Sequence, residues 1–154
     1  MCNAFGIVNY EGPNVNVKGM EDYRPVSAFS FLGRYRLIDF PISNMSNSGV
    51  NHIKVFVKTN PRSLIEHLGT GRHYNINSKR GKLHILPAKN MDDVDFYNND
   101  INSYMFNMQA IEDVNQPYVI LAPAHMIYRQ DFSNLLDAHI ESGADITMLY
   151  QNVD

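Results

Sequence analysis

Arg24, Arg34 and Arg36 each carry a guanidinium fork, which meets a phosphate or a carboxylate equally well. A competing use is local: Asp39 lies one turn beyond Arg36, and a helix-surface pair of that kind is worth about a few tenths of a kcal/mol. The run Lys79-Arg80-Gly81-Lys82 sits beside a turn signal and reads as a solvated hairpin tip. Asp92-Asp93-Val94-Asp95 with Asn98-Asn99-Asp100 offers hard oxygen donors, but it lacks the central glycine and the closing glutamate of a calcium loop. Cys2 is the one cysteine, so no disulfide forms within the chain and zinc lacks its usual thiolates.

The elements that must carry these residues read as an α/β succession. Ala4-Phe5-Gly6-Ile7-Val8 is a first strand, and the polar, turn-rich Asn9–Gly19 after it belongs at the carboxyl end of a sheet, where doubly wound sheets bind ligands. Gly6, Gly12 and Gly19 are not spaced to rebuild a phosphate cradle there. Leu37, Ile38, Ile42 and Met45 recur at helical spacing up to Gly49, with Pro41 as an oddity. His52–Val57 reads as a buried strand, which makes the helix a crossover in a parallel sheet. Further along, Asn60 and Pro61 open a short helix ended by Gly69, and Leu83–Leu86 is a short edge strand. Asp100 caps a helix whose Tyr104, Met105, Met108 and Ile111 share one face, the methionines serving as core filler. Asp131 caps a helix from Asn134 to Ser142 stopped by Gly143, and Ala144–Tyr150 begins another strand.

Four segments in order, GRYRLIDFPISNMSNSGV, NPRSLIEHLGTGRHYN, HILPA and YVILAPAHMIYRQDFSNLLDAHIESGADITML, resemble the glucose-1-phosphate adenylyltransferases, a family of sugar-1-phosphate nucleotidyltransferases. The resemblance implies a Rossmann-like three-layer α/β/α nucleotidyltransferase domain with a mostly parallel sheet. By the same resemblance, residues 1–154 are expected to be its truncated N-terminal part, without the family's C-terminal β-helix domain. It also implies the family's chemistry, in which ATP and glucose 1-phosphate give ADP-glucose and pyrophosphate with Mg²⁺. Here the chain departs from the pattern. The family's glycine loop has only Gly12 near its place. Its metal-binding aspartate is replaced by Ala124, or by His125 when the alignment starts from Tyr128. Neither side chain suits Mg²⁺, so no metal ligand or catalytic residue is assigned. Arg24 and Arg36, with Arg34 close by, match cations that the family uses for phosphorylated effectors. The effector-sensing tryptophan is missing from Arg72-His73-Tyr74-Asn75.

These departures resemble the GlgD-type subunit, a regulatory partner of a catalytic GlgC-type subunit, and imply a hetero-oligomer, a tetramer by family resemblance. An adenylyltransferase active in its own right and a non-catalytic nucleotide or sugar-phosphate sensor are the alternatives. Composition agrees with a globular domain: 154 residues, 44% hydrophobic and 19% charged. A net charge of -3 and a pI near 6.0 give no reason to expect nucleic acid or an anionic membrane as partner. With no apolar run long enough to span a bilayer and no leader pattern, a soluble cytoplasmic protein is expected.

Overall fold

Every residue of Ala4–Asn9 is buried, the pattern of a strand covered on both faces in a parallel sheet. The structure, a computed structural model, describes residues 2–9, 19, 24–57, 61–76, 79, 81–87 and 100–152. The chain runs β1 (Ala4–Asn9), β2 (Ser30–Phe31), β3 (Tyr35–Arg36), α1 (Asp39–Asn47), β4 (His52–Val57), α2 (Arg62–Leu68), β5 (Lys82–Pro87), α3 (Asp100–Phe106), α4 (Met108–Glu112), β6 (Tyr118–Pro123) and α5 (Phe132–Ser142). The main sheet has the order β5-β4-β1-β6, and each of its three pairings is parallel. β2 and β3 form a separate antiparallel ribbon.

Period-two alternation sends the two faces of the sheet to two cores. Val8 of β1, Ile53, Val55 and Val57 of β4, and Ala122 of β6 join Ile42 and Met45 of α1, Leu64 and Leu68 of α2 and Phe132 of α5. On the other face Phe5, Ile7 and Phe56 meet Leu86, Tyr104 and Ile111 under α3 and α4. Helices on both faces make the expected three layers. Pro41 is accommodated because α1 starts at Asp39, which leaves the proline in the first turn, where no intrahelical N–H is needed. The helix stops as expected: Gly49 takes φ +81°, and the Val50 N–H reaches back to the Met45 carbonyl at 3.0 Å.

The structure corrects five sequence expectations. Lys82 opens a strand parallel to β4, so the basic run lies beside a crossover and not at a hairpin tip. The α3–α4 segment breaks at Asn107, which turns Met105 and Met108 outward, 63% and 37% exposed, while Tyr104 and Ile111 keep the core face. Residues 144–152 form no strand and are exposed, because this segment meets no ladder to pair with. The Asp131 cap holds, with its carboxylate accepting from the Ser133 and Asn134 amides, but α5 begins at Phe132. Asn60 lies outside the described residues, and Pro61 stands at the N-cap position of α2.

Gly81 is where β5 joins the sheet. A Cβ on it would collide with the backbone of Asn51, whose carbonyl accepts from the Lys82 amide at 2.9 Å. Backbone cannot yield as a side chain end can, so Gly81→Ala is expected to lower unfolding stability by about 1–3 kcal/mol. The measurement is a urea denaturation midpoint at unchanged m-value.

Candidate functional site

From β1 the chain crosses to β4 and β5 on one side and returns to β6 on the other. The carboxyl ends of β1 and β6 therefore flank a topological switch point, the place where open α/β sheets hold ligands. Asn9 is the floor of this crevice. It is buried, and its Nδ2 donates to Asp100 Oδ1 at 2.6 Å while its Oδ1 accepts from Ser103 Oγ at 3.0 Å. Burial and the Asp100 carboxylate push the Tyr104 hydroxyl up to about 12, against a hydrogen bond with Asn9 that pulls it down. These contacts fasten the first turn of α3 to the end of β1, ninety residues away in sequence, and no local pattern announces them.

β6 ends at Pro123, and the chain turns through Ala124 and His125. Ala124 is 1% exposed: its methyl belongs to the core under α1, α2 and α5, and its N–H donates to the Asn9 carbonyl at 2.9 Å. His125 is half-buried, with Nδ1 sealed from solvent and unpartnered. The Asp100 carboxylate on the crevice floor is engaged by Asn9. Mg²⁺ requires several oxygen ligands, and an alanine methyl, a proline and an imidazole supply none. The donors present do not fit the metal, and no cluster of three histidine, cysteine or acidic side chains occurs among the described residues. Gly12 and the acidic 92–99 stretch lie outside the described residues.

The arginines divide. Arg24 and Arg34 are exposed, Arg34 in the turn between β2 and β3. Arg36 is half-buried, and its Nη1 donates to the Ser63 carbonyl of α2. The expected Arg36–Asp39 side-chain pair does not form. The carboxylate instead accepts from the Arg36 backbone N–H at 2.9 Å, from the Tyr74 hydroxyl at 2.6 Å, and lies 2.7 Å from His67 Nε2. Asp39 is 7% exposed and ties the ribbon, α1, α2 and the turn at Arg72–Tyr74 together. Sequence reading missed this hub because its partners lie up to 35 residues away.

The nucleotidyl transferase family model matches residues 22–154. The chain belongs to the nucleotidyl transferase family. Within it, the chain is 36% identical over 130 residues to a glucose-1-phosphate adenylyltransferase of Roseobacter denitrificans, covering 84% of this chain and 31% of that protein. It is 34% identical over 131 residues to the glycogen biosynthesis protein GlgD of Geobacillus stearothermophilus, covering 82% and 37%. A glucose-1-phosphate adenylyltransferase of Bacillus subtilis is 30% identical over 138 residues, covering 89% and 36%. The chain thus spans about a third of the length of the curated relatives it matches. No described helix is long and apolar enough to cross a membrane.

Proposed function

We propose that this chain is part of a glucose-1-phosphate adenylyltransferase subunit of glycogen biosynthesis, impaired in its own chemistry and acting on a catalytic GlgC-type partner in a hetero-oligomer. One observation carries the reading: the end of β6 delivers a core methyl at Ala124 and an imidazole at His125 where the chemistry calls for a carboxylate. Losing a metal that neutralises phosphate charge removes most of the electrostatic stabilisation on which such transfers depend. The subunit then works by biasing its partner's conformation, a coupling typically of about 1–3 kcal/mol. Arg24 and Arg34, exposed and each able to grip a phosphate, are the residues through which an effector acts in this reading.

The expected result is pyrophosphate release from ATP and glucose 1-phosphate that is negligible for this protein alone, with a changed rate or effector response when the catalytic subunit is mixed with it. Mg²⁺-dependent turnover by the protein alone overturns the proposal. That outcome would establish the second reading, an active adenylyltransferase, which the names of the Roseobacter and Bacillus relatives favour.

A further inference from the structure

The face of the sheet beneath α3 and α4 changes character along its strands. Its middle is apolar, but at the amino ends of β4 and β5 the same alternation places His52 and Lys54 beside Lys82 and His84. The register pairs His52 with Lys82 and Lys54 with His84, so four basic side chains stand in a two-by-two square on one face. Like charges directly opposite one another on neighbouring strands destabilise a sheet. A cleft of about 510 Å³ opens over the square, walled on its far side by Asp113 and Gln116 after α4.

Among the described residues the square is short of counter-charge. Lys54 is 6% exposed, and no ion pair or hydrogen bond within the described residues engages the side chain of any of the four. Asp113 is the one acid in the wall among the described residues, and it raises the Lys54 amine only against a larger desolvation that holds it below the usual lysine range. His84 is likewise held low, by burial first and then by Lys82, Lys54 and His52. The Gln116 side-chain oxygen is sealed from solvent with no partner; turned by half, that amide presents N–H donors at the same point. A largely buried lysine whose amine faces three further basic groups and, among the described residues, a single acid is a costly arrangement unless something negative completes it.

We infer that this cleft is a binding site for a small multivalent anion, a phosphate or a polycarboxylate, held by Lys54 and Lys82 with His52 and His84. It lies at the amino end of the strands, opposite the switch-point crevice at their carboxyl ends, and it does not depend on the function proposed above. Lys54 reaches the anion from within the sheet and Lys82 from its edge.

The test is the thermal midpoint of the full chain titrated with inorganic phosphate and, separately, with citrate, at ionic strength held constant with chloride. A saturable rise at millimolar concentration is expected with at least one of them, and which one responds names the source. Lys54→Met and Lys82→Ala are each expected to weaken that response at least tenfold. Lys54→Met should also melt at or above the wild-type midpoint without anion, since it removes a poorly solvated charge and keeps the stem's packing. Arg129→Gln, exposed and outside the cleft, should respond as wild type does. No saturable response to either anion overturns the inference. So does an undiminished response in both lysine variants, or one abolished by Arg129→Gln alone.

Discussion

Asp39→Ala is expected to lower unfolding stability by about 3 kcal/mol, roughly 6–12 °C in melting temperature for a domain of this size. The carboxylate is 7% exposed and takes hydrogen bonds from the Arg36 amide and the Tyr74 hydroxyl, with His67 Nε2 against the same oxygen as Tyr74. Removing it strands donors that water reaches poorly, and each stranded donor carries a desolvation penalty of about 1–3 kcal/mol. The Tyr74 phenol is held well above its usual range by burial and by Asp39, so it stays an O–H donor and needs the acceptor. Asp39 is also the first residue of α1, where a negative charge suits the helix dipole. Asp39→Asn keeps one acceptor oxygen and should lose about half as much. Urea melts of the two variants decide the matter: equal losses, or a loss under about 0.5 kcal/mol for the alanine, would refute the hub.

That hub shows where sequence reading works and where it stops. Leu37 to Gly49 carried its own period and its own stop signal, and the helix ended where Gly49 demanded it. His52–Val57 was legible because a strand buried on both faces is a continuous β-branched and aromatic run. Asp131 and Gly143 marked the two caps of α5 from local capping chemistry alone, although the helix starts at Phe132 and not at Asn134. The site residues were harder. Arg36 and Asp39 are three residues apart and looked like partners, yet the ribbon and α2 draw the guanidinium to Ser63 and the carboxylate to Tyr74 and His67. Asn9 and Ser103 meet across 94 residues, and the His52, Lys54, Lys82, His84 square appears only once the parallel register is known. Lys82 reads as part of a solvated tip because charge in a sequence says nothing about which strand will lie alongside. Ala144–Tyr150 failed for the opposite reason. Its apolar pattern was right for a strand, but a strand exists only where it is laid along another, and this segment pairs with neither edge of the sheet.

Ala124→Asp is expected to destabilise the protein by at least about 3 kcal/mol, and its result bears on which residue occupies the family's metal position. The sequence allows two alignments there, one placing the aspartate at Ala124 and the other at His125. Ala124 is 1% exposed within the core that includes Val8, Ala28 and Ala122. A carboxylate introduced at that point loses its hydration and gains no described partner. Its pKa is therefore raised in the folded state, and the penalty is full above that raised value and relieved as pH falls below it. Ala124→Asp should accordingly recover stability toward acid relative to wild type. His125 is only partly buried and holds an unpartnered nitrogen, so His125→Asp gives up nothing hydrogen-bonded and keeps access to water; its loss should stay within about 1 kcal/mol. Denaturation of both variants at neutral and mildly acidic pH separates the alternatives. A large, acid-relieved loss at 124 beside a small one at 125 means that a carboxylate at the end of β6 can face the crevice only from position 125. The alignment from Tyr128 is then the physical one. Comparable tolerance at both positions would mean that the Ala124 methyl is not held in the core, and the argument for impaired metal binding would lose its main support.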